Sequence, residues 1–480
     1  MDSMPKEQFL DEYSKALADG NAALFAGAGT SVDSGMVDWS NLLRGIAKGL
    51  HLEIDEETDL IALAQYEFNN SGTRHRLNSA IIDEFKKRAS PSANHKWIAQ
   101  LPLSIVWTTN YDSLIEKAFE EVDKRVDPKW DSGQLTHRVR DVDVTIYKMH
   151  GDVSDPNRAV LTKDDYERYD IERSAFTELL RTDLTRNCFL FLGFSFTDPN
   201  IEYILSRLRQ MLDGAQRIHY CIMRKPPKPS DPAEADKHSR DLARFRHRIT
   251  DLKRFGIQTV VIENFREIEP ILKELVRRAA AQNVLISGSA HDGGSFGKER
   301  LESLARQIGK ELVARGYNLV SGYGLGVGGA CILGAHEAAY FTRNSRPGQR
   351  LLLRVFPQDI PSNEERKALY TRIRTEMAQQ SGATIFLAGN KFDKSTNGVV
   401  LADGVMQEFE LAREQGHVLI PVPCTGYAAK QIWQEMERDL PSFFGKADVK
   451  AEFAILNDAT KSEAELVEAI FNILEKNKKE

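Results

Sequence analysis

Short apolar runs alternate along this chain with longer stretches whose apolar residues recur every three or four positions. Such runs read as strands buried on both faces, and the recurring stretches as helices packed over them. In the first half the strand candidates are Ala22–Ala26, Ile105–Thr108, Val144–Lys148, Phe189–Leu192, His219–Met223 and Thr259–Ile262. In the second half they are Val284–Ser287, Asn318–Ser321, Leu351–Val355, Thr384–Leu387 and Val418–Pro421. Strand alternating with helix predicts an α/β fold of two Rossmann-like, doubly wound parallel sheets. Residues 39–89 read as helical throughout, with Leu42, Leu43, Ile46 and Leu50 and then Leu77, Ile81, Ile82 and Phe85 at helical spacing. We take that stretch as a helical insertion over the first sheet. A helix over 267–281 runs into the strand at Val284, which puts a domain boundary near Gln282 and domains at 1–282 and 283–480. The proline-rich KPPKPSDPAEA at 225–235 reads as a surface excursion within the first domain.

Composition narrows the function. A chain of 480 residues is too long for one hydrophobic core, and 41% hydrophobic with 28% charged residues is ordinary for globular domains. A net charge of -6 supplies no positive field for nucleic acid or an anionic membrane. Cys188, Cys221, Cys331 and Cys424 form no CxxC pair, so they read as reduced core residues of a cytoplasmic protein and offer no metal site. The charged, amphipathic start lacks a signal peptide's pattern, and no apolar run reaches the ~18 residues of a membrane span. A small-molecule substrate fits this balance.

Four strand ends in the first half carry polar or glycine residues where open α/β sheets bind ligands. The first leads into AGAGTSVDSGMVDWSNLL, where Gly27 and Gly29 allow a close backbone approach. The second leads into TTNYDSL, with Thr109, Asn110 and Asp112; the third ends in YKMHGD, with His150 and Asp152. The fourth ends in LGFSFTDPN, with Gly193, Ser195, Asp198 and Asn200. Alone, the glycine loop is equally a tight turn, and His150 reads first as a hydrogen-bonded structural residue until Asn110 nearby is weighed with it. Asp198-Pro199 reads first as the N-cap and first-turn pair of the next helix.

The second half repeats the pattern. LISGSAHDGG and LVSGYGLGVGGA bring Gly288, Gly322, Gly324, Gly326, Gly328 and Gly329 to adjacent sheet ends, more than turns require. Arg372, Arg374 and Lys391 offer cations for an anionic ligand, and Glu408 can accept ribose hydroxyls. Arg372 reads equally as part of a solvated helix face over 364–380.

GAGTS, TTNYD, KMHGD and LGFSFTDPN, in this order, resemble the motif series of the sirtuin superfamily over most of residues 15–265. The resemblance implies that Gly27, Ala28, Gly29 and Ser31 cradle the phosphates of NAD+, with Thr30, Asp38, Trp39, Thr109, Gly193, Ser195 and Asn200 completing the binding site. It implies that Asn110 and Asp112 position the nicotinamide ribose, that His150 acts on a ribose hydroxyl or a water, and that Asn110 and His150 are catalytic. Two departures weigh against protein deacetylation: sirtuin deacetylases carry two zinc-binding CxxC pairs, absent here, and GMVDWSNL lacks the arginine of their GIPDFR. Simple hydrolysis of NAD+, used as substrate and without a metal, remains.

Residues 283–480 resemble the SLOG family of nucleotide-ligand enzymes and sensors, which implies an activator site of Gly288, Ser289, Gly322, Gly324, Leu325, Gly326, Arg372, Arg374, Lys391 and Glu408. The family's enzymes carry PGGxGTxxE; here LAGN is followed by KFDKSTNGVVLAD before GVMQEFE, which favours sensing over catalysis. The two domains in this order resemble the NAD-depleting effectors of Thoeris antiphage defence. That implies an NAD+ glycohydrolase switched on by a cyclic ADP-ribose isomer and assembled as a homotetramer or larger. A non-catalytic nucleotide-binding sensor or scaffold and an NAD-dependent deacylase are the competing readings.

Overall fold

The flat apolar run Ala22–Ala26 (β1) is buried at every position and lies at the centre of a seven-stranded parallel sheet. Its partners are Ile105–Thr108 (β2), Val126–Lys129 (β3), Val144–Lys148 (β4), Cys188–Leu192 (β5), His219–Arg224 (β6) and Ile257–Ile262 (β7), in the order β3-β4-β2-β1-β5-β6-β7. The connections after β1 build outward on one side and those after β5 on the other, so the winding reverses between β1 and β5. A reversal of that kind opens a crevice at the carboxyl ends of the two strands. The computed structural model describes residues 3–36, 39–86, 89–137, 139–341, 350–393 and 395–478.

Six of the seven strands coincide with the apolar runs. The seventh, β3, is the half-buried VDPK at the sheet edge, where proline is tolerated because no inner ladder needs its amide. The stretch over 39–89 is not one continuous helical pattern but three helices, Trp39–Gly49, Leu60–Ser71 and His75–Phe85. The Asp59 side chain caps the second by accepting from the Ala62 amide, and Gly72 ends it at φ +66°, a left-handed conformation natural to glycine. These helices bury Leu43, Ile46, Leu63, Leu77 and Ile81 together with Tyr111 and Leu161 of the first sheet's loops. Arg74 donates to Asp165 at 2.8 Å and so ties the insertion to the segment after β4.

The chain divides into two compact units, Met1–Ala279 and Ala280–Glu480. In the second, Asn283–Ser289 (β8), Asn318–Ser321 (β9), Leu351–Leu353 (β10), Ala383–Ala388 (β11) and Val418–Val422 (β14) form a parallel sheet in the order β10-β9-β8-β11-β14. Again the winding reverses beside the first strand of the unit, between β8 and β11. The stretch KFDKSTNGVVLAD folds mainly as an antiparallel hairpin, Asn390–Asp393 (β12) with Gly398–Leu401 (β13). No helix among the described residues is long and apolar enough to cross a membrane.

Candidate active site

The crevice at the β1/β5 reversal has a volume of about 490 Å³, within the range of small-molecule sites. Its floor begins with two loops locked backbone to backbone. Gly27 N–H donates to Leu192 O at 2.9 Å and Gly29 N–H to Gly193 O at 3.0 Å. A Cβ on Gly27 would strike the Gly193 carbonyl, and one on Gly193, at φ +64°, would strike the Thr30 amide. The glycines here first allow this loop-to-loop contact, a requirement the expectation of phosphate approach did not include. After β1 the chain makes two short 3₁₀ turns, Ala28–Thr30 and Val32–Ser34, before the helix at Trp39.

Ala28, Gly29, Ser31, Trp39, Thr109, Asn110, Asp112, His150, Gly193 and Ser195 all line the crevice. Thr30 faces inward instead, its hydroxyl donating to Gly27 O at 2.7 Å. Gly27 and Asn200 lie outside the lining, and Asp38 lies outside the described residues.

Asn110 is buried and its amide nitrogen donates to Ser31 Oγ at 3.1 Å, with longer contacts to Gly27 O and Thr30 Oγ1. Its Oδ1 is buried without a hydrogen-bond partner among the described residues. A buried, unpaired acceptor costs roughly 1–3 kcal/mol, and in a crevice wall it is a place for a ligand's donor. Asp112 is anchored at both oxygens: Oδ1 accepts from Leu114 N–H and Oδ2 from the Ser31 hydroxyl, each at 2.9 Å.

Beneath this loop lies a charged group in an apolar strand. Lys148, the last residue of β4, is fully buried and reaches Tyr111 O, Asp112 O, Glu116 Oε1 at 2.8 Å and Asp152 Oδ2. Burial pushes the ammonium down, but Glu116 and Asp152 outweigh it and hold it up at about 12. Lys148, together with Ser154, in turn holds the Asp152 carboxyl below its ordinary range against its own burial. Lys148 therefore fixes the carbonyls that follow Asn110. The lysine inside the run VTIYK was the visible signal of this support, and the sequence reading passed over it.

His150, two residues further, is 2% exposed. Its Nε2 lies 3.0 Å from Asp198 Oδ2, a close charge contact without hydrogen-bond geometry, and neither ring nitrogen has a hydrogen-bond partner among the described residues. The Tyr166 ring stands T-shaped to the imidazole with ring centroids 5.6 Å apart, and Tyr166 in turn meets Trp39 of the insertion. Asp198 caps the helix Pro199–Leu212 as its sequence suggested, accepting from Asn200 and Ile201 N–H, yet it also faces the histidine. Tyr166 and Asp198 thus join the crevice wall.

At the edge of the second unit, Gly288 and Ser289 close β8, and a Cβ on Gly324 would strike the Gly288 carbonyl, so these two loops also interlock. The structure separates the two arginines. Arg372 is 58% exposed, and its ion pair among the described residues is with Glu376 on its own helix. Arg374 is 15% exposed, lies over the Phe356 ring at 5.0 Å and has Nε 3.5 Å from Glu408 Oε1. Glu408 also accepts from the Ser287 hydroxyl of β8, although burial pushes its carboxyl up overall. Lys391, on the hairpin, pairs with Asp403 and is half exposed. Gly322, Leu325 and Gly326 belong to the loop after β9; Leu325 is exposed, and its carbonyl accepts from Ala290 N–H at 2.7 Å.

Two family profiles match: the Sir2- and TIR-associating SLOG family over residues 267–477 and the SIR2-like domain over residues 104–244. The chain is 41% identical over 472 residues to the NAD(+) hydrolase ThsA of Bacillus cereus (strain MSX-D12), covering 98% of each chain. It is 39% identical over 471 residues to the NAD(+) hydrolase ThsA of Acinetobacter baumannii (strain 532279), covering 97% of this chain and 98% of the relative. It is also 25% identical over 222 residues to Defense-associated sirtuin 2 of Bacillus subtilis, covering 42% of this chain and 20% of that one. With relatives of such identity aligned along nearly its whole length, the chain belongs to the family of ThsA NAD(+) hydrolases.

Proposed function

We propose that the N-terminal crevice hydrolyses NAD+ to nicotinamide and ADP-ribose, and that the C-terminal unit switches this activity on when it binds a cyclic ADP-ribose-type nucleotide. The observation that carries the first half is that Asn110 Oδ1 and both ring nitrogens of His150, on side chains that line one crevice, lack a hydrogen-bond partner among the described residues. Nicotinamide is already a good leaving group, so the protein need only orient the ribose, accept a proton and screen the reaction from bulk water. Asn110 offers a ribose hydroxyl an acceptor, His150 takes a proton from a hydroxyl or from the attacking water, and Asp112 and Lys148 keep the Asn110 loop in register. The interlocked glycine loops leave the backbone of residues 28–31 next to the crevice for the phosphates. The helical insertion, through Trp39 and Phe85, covers it.

Arg374, Glu408 and Ser287 supply the charged centre of the proposed activator site, with Gly288, Ser289, Gly322, Gly324, Leu325, Gly326 and Lys391 around it. A ligand with two phosphates competes with Glu408 for the arginine, which gives a physical means of switching. The proposal extends to a homo-oligomer of four or more chains that depletes NAD+ in the cytoplasm as part of antiphage defence. All four cysteines are buried and unpaired, so they add nothing to a zinc-dependent deacylase reading.

Product analysis tests the proposal. The full chain is incubated with NAD+ alone, with cyclic ADP-ribose isomers and with an acylated peptide. Nicotinamide and ADP-ribose in equal amounts, increased by a cyclic nucleotide, is the expected result. Nicotinamide only with the peptide would mean a deacylase, and NAD+ binding without turnover would mean a sensor.

A further inference from the structure

The carboxylate of Asp198 divides its two oxygens between two tasks. Oδ1 accepts from Asn200 N–H at 3.0 Å and Ile201 N–H at 3.1 Å, which alone completes the helix cap. Oδ2 is left for the Nε2 of His150 at 3.0 Å and the hydroxyl of Tyr166 at 3.4 Å. A cap needs no carboxylate, since serine, threonine or asparagine serves as well. Burying a charge is costly unless it is paired, and this side chain is 8% exposed. Burial pushes the Asp198 carboxyl up, but the histidine and the two amides outweigh it and hold the group below its ordinary range. A charge kept here acts on His150.

A neutral imidazole carries one proton, and its other nitrogen is an acceptor. A carboxylate can only accept, so it draws the ring proton to the nitrogen that faces it. We infer that Asp198 is a positioning residue that holds the proton of His150 on Nε2, the ring nitrogen 3.0 Å from its carboxylate, and leaves Nδ1 as the atom that takes a proton in the reaction. This rests on the reading of the crevice as an NAD+-cleaving site, and it names the reacting nitrogen and the group that selects it. The Tyr166 hydroxyl donates to the same oxygen and its ring packs T-shaped against the imidazole, so the histidine is held by packing as well as by a charge.

Asp198→Asn separates the cap from the pairing. Asparagine keeps an oxygen for the two amides, while its NH2 replaces the acceptor opposite Nε2 and drives the ring proton to Nδ1. The test uses the full chain labelled with 15N-histidine, with the His150 signals assigned by their loss in His150→Ala. We expect the wild type to carry its proton on Nε2 and Asp198→Asn on Nδ1. The kcat for nicotinamide release should fall about 100-fold or more, the contribution of a positioned base, with KM changed by no more than about threefold. Asp198→Ser, which caps but cannot orient, should lose kcat similarly if Asp198→Asn does not fold. An unchanged tautomer, an unchanged kcat, or loss of the fold in both variants would overturn the inference and leave Asp198 as a cap. If neither wild type nor variant releases nicotinamide, the cleavage reading fails, while the tautomer still decides whether Asp198 sets the ring.

Discussion

The Ser31 hydroxyl donates to Asp112 Oδ2 across 2.9 Å, joining the loop after β1 to the loop after β2. The same Ser31 oxygen accepts from the Asn110 amide, so one hydroxyl spans the two residues assigned to the nicotinamide ribose. Ser31→Ala should lower kcat/KM for NAD+ cleavage by at least about tenfold, consistent with the ~1.5–3 kcal/mol of a hydrogen bond to a charged group. Steady-state kinetics checks this, and an unchanged kcat/KM would show that the bridge does not orient Asn110.

Asn110→Ala and His150→Ala should each lower NAD+ cleavage at least ~100-fold, because oriented reactants and a positioned base each contribute factors of that order. Both proteins should remain folded by circular dichroism. Near-normal turnover in either would remove its catalytic assignment.

Lys148→Met fills the same space but strands Glu116 and Asp152 in the interior. Breaking a buried pair by removing one partner typically costs about 3–5 kcal/mol. Thermal unfolding of the N-terminal unit should shift down accordingly, and a shift no larger than that of an exposed lysine substitution would mean that the buried cluster is not a support.

Arg374→Ala should weaken cyclic ADP-ribose binding about 100-fold, as expected when a charge-assisted partner is lost, while Arg372→Ala leaves it within a few-fold. Because a ligand shifts an equilibrium only through its differential affinity for the two states, activation should move with binding. Calorimetry on the full chain reads both variants; equal effects at the two arginines would contradict the separation seen in their burial.

Acid should weaken the N-terminal unit through its depressed carboxylates. Asp152, Asp165 and Asp198 each sit below the ordinary value of 3.8, all against the pull of burial, through Lys148, Arg74 and His150 respectively. In the unfolded chain these groups take up protons first as pH falls. The stability they contribute is therefore whole above 3.8 and is lost as pH drops through their lower folded values. Denaturant midpoints should be steady from neutrality to about pH 5 and fall below about pH 4.

The α/β class and ten of the fourteen strands among the described residues were legible because strands buried on both faces leave continuous apolar runs such as AALFA and CFLFL. An eleventh, LLL, was overextended at its C-terminal end by two residues. The strands β3, β12 and β13 were missed: VDPK sits at an edge with a proline, and NKFD pairs with the short run GVVL in a largely exposed two-stranded hairpin set in a polar stretch. Three helices merged into one in the sequence because the turns between them carry few glycines or prolines. Chemistry-bearing residues at the strand ends could be read, since topology alone brings them to one edge. What could not be read was pairing across the fold. Asp198 reads as a cap from its neighbour Pro199, and only the folded structure brings His150, 48 residues earlier in the sequence, against its second oxygen.

NAD+ cleavage at the crevice is decided by quantifying nicotinamide and ADP-ribose after incubating NAD+ with the wild-type chain and with His150→Ala, in the presence and absence of cyclic ADP-ribose. The wild type should release equal amounts of both products and more with the cyclic nucleotide, and the variant at most about one-hundredth of that rate. A folded wild type that binds NAD+ but releases no nicotinamide under either condition, or a variant that matches it, would show that the crevice is not a His150-dependent hydrolase.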